Sequence, residues 1–234
     1  MLVESNIILT NSLEELMIGS NFIGLLLIIV FSMTFKLQSA ETASPYDLGQ
    51  KLFPYSESDL FKNEKQLAAI IEKRRIHTII EIGCWFGEST IFMAGLLPDN
   101  GKVYAIDSWI GYPRETYQIT RYVYERFLSN VVHAGLTDRI IPIRMTSLSA
   151  NRIFTQYRNK KVDMVYIDGD HAYEAVYSDI KAWSPYVRTG GVLCGNLYAK
   201  NEKEMHQIKK AVQDFCEQDR KTVSFDGYFW KIRL

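Results

Sequence analysis

The chain lacks the marks of several common protein classes. It has only three cysteines in 234 residues, Cys84, Cys194 and Cys216. They form no CxxC pair and no disulfide framework, so buried reduced thiols are expected. It has no net charge either, with 27 Lys+Arg against 27 Asp+Glu. There is therefore no basic excess of the kind that nonspecific nucleic-acid binding needs for phosphate neutralisation. Compositional bias is absent too: 47% hydrophobic and 23% charged residues exclude a disordered, collagen-like or low-complexity chain. No internal repeat is present, and neither G-x-G-x-x-G nor G-x-x-x-x-G-K-[ST] occurs. A dinucleotide fingerprint and a nucleoside-triphosphate loop are thus both missing.

Charge is scarce in one region. Residues 1–40 hold only Glu4, Glu14, Glu15 and Lys36, and the run from Met17 to Phe35 has none. That run is close to the roughly 20 apolar residues that cross a bilayer. A signal peptide fits less well, because no Lys or Arg precedes the run and Gln38 interrupts the small-x-small pattern after it. A start at Met17 or Met33 would make part of the segment an artefact. The expected organisation is a hydrophobic segment over 1–37, a linker over 38–45 and a folded domain over 46–234. Lys36 on the C-terminal flank favours a membrane-anchored protein with a cytoplasmic domain; a downstream start would give a cytoplasmic soluble one.

From Pro45 onward, short apolar strands alternate with helices. Strands are expected at 78–82, 103–107, 140–144, 162–168 and from Val192. Helices are expected at 63–75 (with Asn63 as cap), 89–97, 115–134, 148–157, 173–183 and 202–220. Pro142 marks the third strand as an edge, and Gly190-Gly191 reads as a turn. Asp226-Gly227 joins two last strands as a hairpin. This is an α/β, Rossmann-like, doubly wound, mostly parallel seven-stranded sheet with a C-terminal antiparallel hairpin. Such a sheet binds ligands at the carboxyl ends of its strands, here just after Gly83, Asp107, Ser147, Asp168 and Gly195.

Three motifs fall at those ends. Glu81-x-Gly83-x-x-x-Gly87 sits between a strand and a helix, where glycine lets backbone approach a ligand. Asp107 ends the second strand, where a carboxylate can accept both hydroxyls of a ribose; capping a turn is the alternative. Asp168-Gly169-Asp170-His171 concentrates two carboxylates and an imidazole at the fourth strand. Metal ligation, substrate positioning and proton abstraction by His171 all fit. Alternatively, Asp170 caps the next helix and His171 packs.

Together these motifs resemble class I S-adenosylmethionine-dependent methyltransferases, over about Asn63 to Leu234. Glu81 to Thr90 looks like the nucleotide-binding motif, and Val103 to Trp109 looks like the acidic ribose motif. Val162 to Trp183 with Gly190 to Leu193 resembles the small-molecule O-methyltransferase group of the cephalosporin-biosynthesis and macrocin type. The resemblance implies S-adenosylmethionine as cofactor and a small-molecule hydroxyl acceptor. It gives Gly83, Cys84, Trp85 and Gly87, with Ser89 at the helix start, to the amino-acid end of the cofactor. Glu81 would support the loop or reach the amino group, and Asp107 would hold the ribose. Ser108 and Trp109 would flank the adenine, Ser147 would lie near its edge, and Asp168 would lie by the sulfonium. His171, then Asp170, would serve as base beside Asp168, and Trp85 and Tyr173 could face the cation.

One departure stands out. Relatives of this kind often carry Gly-His-Asp after the fifth strand, completing a divalent-metal site; here the segment is Gly195-Asn196-Leu197. Leu197 cannot ligate, and Asp168, Asp170 and Asn196 would make only a poor site, so no metal ligand is assigned. Aromatic residues at 109–113 and 117–127 read either as a substrate lid or as a packed helix face. No nucleic-acid partner is expected, residues 17–35 could associate with a membrane, and a homo-oligomer is compatible with the sequence. The competing reading is a non-catalytic, membrane-tethered relative of the same fold. A nicotinamide-dependent reductase is disfavoured by the glycine spacing.

Overall fold

The computed structural model describes residues 44–48, 53–56, 60–110, 122–157 and 161–234. The expected hydrophobic segment 1–37, most of the linker, and residues 111–121 of the expected aromatic lid lie outside the described residues. Among the described residues no helix is long and apolar enough to cross a membrane. Residues Pro45–Leu234 cluster as one unit.

Seven strands form one sheet: β1 (Thr78–Ile82), β2 (Lys102–Asp107), β3 (Ile140–Arg144), β4 (Val162–Ile167), β5 (Val187–Asn196), β6 (Val223–Asp226) and β7 (Phe229–Arg233). Their order is β3-β2-β1-β4-β5-β7-β6. The first five strands pair in parallel, and β7 runs antiparallel between β5 and β6. The helices are α1 (Glu64–Arg74), α2 (Glu88–Leu96), α3 (Val123–Ala134), α4 (Ser147–Phe154), α5 (Tyr173–Trp183) and α6 (Glu202–Gln218). The doubly wound reading holds, including the edge position of β3.

The winding follows from the strand sequences. Neighbouring side chains of a strand point to opposite faces, so a parallel strand covered on both faces must be apolar at nearly every position. Ile79 and Met164 join the core with Leu67, Met93 and Phe127 of α1–α3. Ile80 and Val165 join the opposite core with Ala150, Ile180, Trp183 and Val212 of α4–α6. Strand order reverses between β1 and β4, and this places the ends of those two strands side by side. Two local expectations are corrected. Strand β5 starts at Val187, and Gly190-Gly191 lies within it at a register irregularity, Gly190 having φ +75°. Asn63 precedes α1 but makes no side-chain cap; its amide is used elsewhere.

Candidate functional site

The loop after β1 is held from three sides. Gly83 has φ +83°, and a Cβ there would stand 2.3 Å from the backbone oxygen of Asp168. The Asp168 N–H donates to Ile82 O at 2.7 Å, so the β1 and β4 exits are in backbone contact. Gly87 caps α2 at φ +86°, where a Cβ would meet the Phe127 ring at 2.9 Å. From α3, the Asn130 amide donates to Phe86 O at 2.9 Å and to Ser56 O at 3.0 Å. Asn130 thereby ties the loop to the chain segment before α1.

Asp107 is the hub of this region. Its Oδ2 accepts the N–H groups of Cys84 and Trp85 at 2.9 and 3.0 Å, and its Oδ1 accepts Trp109 N–H at 2.7 Å. A carboxylate offers about four acceptor positions, so roughly one remains for a ligand. Asp107 thus caps the loop, and the three backbone donors leave it acceptor capacity at the β2 exit. Trp85 and Trp109 both adopt φ +48°, a left-handed conformation costly for a non-glycine residue. The Trp109 indole N–H donates to Trp85 O at 2.8 Å. Its ring is buried against Tyr124 and Phe127, 4.8 and 4.7 Å between centroids. Trp109 therefore braces the loop from below, whereas Trp85 is half-buried and stacked on Phe86. Ser108, between them in sequence, is half-buried at the same exit.

Glu81 is fully buried and accepts hydrogen bonds from the Ser89 and Thr90 hydroxyls, both at 2.5 Å. Ser89 is thus occupied beneath the loop, and Glu81 supports the loop from inside. The Cys84 thiol also points inward, towards Glu81 O and Ile106 O, leaving its backbone to face the site. Burial pushes the Glu81 carboxyl up to about 8, although the two hydroxyls oppose the shift. The folded chain therefore holds this proton up to about pH 8, while the unfolded chain releases it near the usual 4.5. Between these values the folded state binds more protons, so stability falls as pH rises and levels off above 8. The span is worth on the order of 5 kcal/mol. Burial likewise lifts Asp179 to about 6, which adds a smaller decline of the same sign between the usual 3.8 and about 6. Calorimetric melting from pH 5 to 9 should show this decline in the native protein and a flatter profile in Glu81→Gln. An unchanged slope in the variant would refute the assignment.

At the β4 exit, Asp168 Oδ1 accepts Asn196 Nδ2–H at 2.9 Å and Oδ2 accepts the Tyr166 hydroxyl at 3.3 Å. His171 Nε2 stands 3.7 Å from Asp168 Oδ1, beyond hydrogen-bond length but close enough to pair once the ring carries a proton. Asp170 is exposed, and its Oδ1 accepts Ala172 N–H at 2.9 Å, closing the turn before α5. Ser147 opens α4 just after the β3 exit. Its hydroxyl donates to Asp179 and accepts Trp183 Nε1–H at 2.8 Å, which joins α4 to α5. The Tyr173 hydroxyl donates to Asp214 on α6 at 2.7 Å.

The donor set does not suit a hard cation. Leu197 is buried in the apolar core beside α6. Asn196 turns its amide nitrogen, not its oxygen, to Asp168. The opposite orientation would set its oxygen against the carboxylate and its NH₂ against Tyr198 N–H. Among the described residues no group of three His, Cys, Asp or Glu side chains could hold a metal. Sequence reasoning missed Asn63, Tyr166 and Thr90. Their only signal was polarity inside otherwise apolar or helical runs.

Residues 80–196 match the family described as a methyltransferase domain. No curated protein matches the chain. Among solved structures, an O-methyltransferase from Bacillus cereus in complex with SAH aligns over 88% of this chain and 97% of its own, at 17% identity and TM-score 0.58. TomG from Streptomyces achromogenes, an O-methyltransferase involved in tomaymycin synthesis, in complex with SAM, aligns over 86% and 96%, at 17% identity and TM-score 0.59. The calicheamicin methyltransferase CalS11 aligns over 83% and 93%, at 14% identity and TM-score 0.55. At these identities the structures testify to the fold.

Proposed function

Because the chain belongs to the methyltransferase-domain family, we propose that it transfers a methyl group from S-adenosylmethionine to a hydroxyl of a small-molecule acceptor. The observation that carries this reading is the cradle at the sheet's switch point. There Gly83 meets the Asp168 backbone too closely for any side chain, and Asp107 holds the loop's amides in place. A cofactor would lie across this cradle, with its amino-acid end along 83–87 and its ribose at Asp107. Since about one acceptor position of Asp107 is open, it would hold one ribose hydroxyl rather than both. Residues 46–234 carry the activity in this reading.

The cofactor supplies an electrophilic methyl on a sulfonium. The chain's own tasks are to align the acceptor oxygen with that methyl, exclude water and remove the hydroxyl proton. Alignment alone can contribute about 7–11 kcal/mol. His171 would take the proton and then pair with Asp168; its Nε2 standing 3.7 Å from Asp168 Oδ1 supports this role.

The test is calorimetric binding of S-adenosylhomocysteine to the full chain. Micromolar binding is expected. Asp107→Ala should weaken it at least about tenfold, because it removes a charge-assisted acceptor and releases three loop amides. No binding to a folded wild-type protein would refute the reading.

A further inference from the structure

Asn63 immediately precedes α1, 103 positions from Tyr166 on β4 and 133 from Asn196 on β5, yet it is 1% exposed. Both hydrogens of its amide are spent inside the fold, on the Tyr166 hydroxyl at 3.2 Å and on Asn196 Oδ1 at 3.0 Å. The Tyr166 hydroxyl donates to Asp168 Oδ2, and Asn196 Nδ2 donates to Asp168 Oδ1. The four side chains close a ring in which every donor points one way. Two paths leave Asn63 and both end on the Asp168 carboxylate. The orientation is fixed chemically, since reversing either amide would set oxygen against oxygen or N–H against N–H. The arrangement is expensive, because Asn63 Oδ1 is buried with no partner among the described residues. A chain that needed only a helix start here would do better with an ordinary cap.

A one-way ring polarises each bond along its length, and the negative end is the carboxylate. One donor reaches each oxygen of Asp168, which fixes the carboxylate's orientation, while its side chain stays 21% accessible. We propose that Asn63 is a positioning residue of the methyl-transfer site, holding Asp168 towards the sulfonium through Tyr166 and Asn196 and without a metal ion. The proposal rests on the methyltransferase reading above. The donor chemistry supports the metal-free part, since the amide that faces Asp168 presents N–H and would repel a cation at the shared oxygen.

The charge on the cofactor supplies the test. S-adenosylmethionine is a sulfonium cation at the position of interest and S-adenosylhomocysteine is a neutral thioether. Their affinity ratio therefore reads how well Asp168 is aimed. Full-length wild type, Asn63→Leu and Tyr166→Phe would be titrated with each ligand by calorimetry, before and after chelator treatment, with manganese chloride as a separate titrant. Asn63→Leu keeps nearly the same volume and branching but cannot donate to Tyr166 or Asn196. Tyr166→Phe cuts one path with little change in packing, so it serves if the first variant fails to fold. The expected result is a wild-type preference for the sulfonium that falls about tenfold in either variant, with homocysteine-ligand affinity within about twofold of wild type and no stoichiometric manganese binding. A preference unchanged in a folded variant, equal loss of both ligands, or stoichiometric manganese in the wild type would each overturn the proposal. Failure of the wild type to bind either ligand would instead remove the methyltransferase reading, and this inference with it.

Discussion

Gly83→Ala is expected to lower the melting temperature by about 10 °C or more and to abolish S-adenosylhomocysteine binding. Two costs add. The residue sits at φ +83°, a conformation that costs an L side chain roughly 1–2 kcal/mol. The new Cβ would also stand 2.3 Å from Asp168 O and 2.6 Å from Gly169 Cα. Both are backbone atoms, so no rotamer change can relieve the contact. Relief requires the exits of β1 and β4 to separate, and with them the hydrogen bond from Asp168 N–H to Ile82 O. A total of about 4 kcal/mol or more is expected. In a domain of this size each kcal/mol moves the melting point by about 2–4 °C. Differential scanning calorimetry with a parallel binding titration checks both effects. An alanine variant that melts within about 2 °C of wild type and binds normally would show that the cradle is looser than the close contacts imply.

Trp230→Ala should cost about 3–5 kcal/mol, in the range of large-to-small changes at fully buried aromatics. Trp230 is 0% exposed and pairs with Gly195 across β5 and β7. Its ring occupies the space a Gly195 side chain would need, 2.4 Å from the position of a Cβ. Its indole N–H donates to Asn196 O at 3.1 Å. Deletion leaves a cavity beside a backbone carbonyl that has lost its donor, at the strand that carries Asn196 to Asp168. Trp230→Phe keeps most of the volume and loses only the donor, so about 1–2 kcal/mol is expected. Urea unfolding of the two variants separates packing from hydrogen bonding. Equal losses would mean that the donor accounts for the whole effect.

Much of the fold was legible because it rests on local rules. Thr78–Ile82 and Val162–Ile167 are short runs dominated by Ile, Val and Met, as a strand covered on both faces requires. Pro142 correctly marked an edge. Asp226-Gly227 correctly marked the turn between β6 and β7. The site was legible in part. Gly83, Asp107 and Asp168 lie at the strand exits, as their spacing required, because exits of neighbouring parallel strands converge at the switch point. The orientation of individual side chains was not. Trp109 turned under the loop, Ser147 paired with Asp179, and Tyr173 reached Asp214.

The sequence by itself determined most of the strands, the mostly parallel character of the sheet, the glycine-bounded loop and the carboxylates at the sheet edge. Each is a consequence of side-chain periodicity or backbone sterics within a few residues. Only the tertiary structure decided what those carboxylates face. Asn63 lies 103 and 133 positions from Tyr166 and Asn196, and no local pattern sets a hydrogen bond over such a separation. It arises because the packing of α1 buries the Asn63 amide against β4 and β5, where its donors must find acceptors, and the acceptors within reach lead to Asp168.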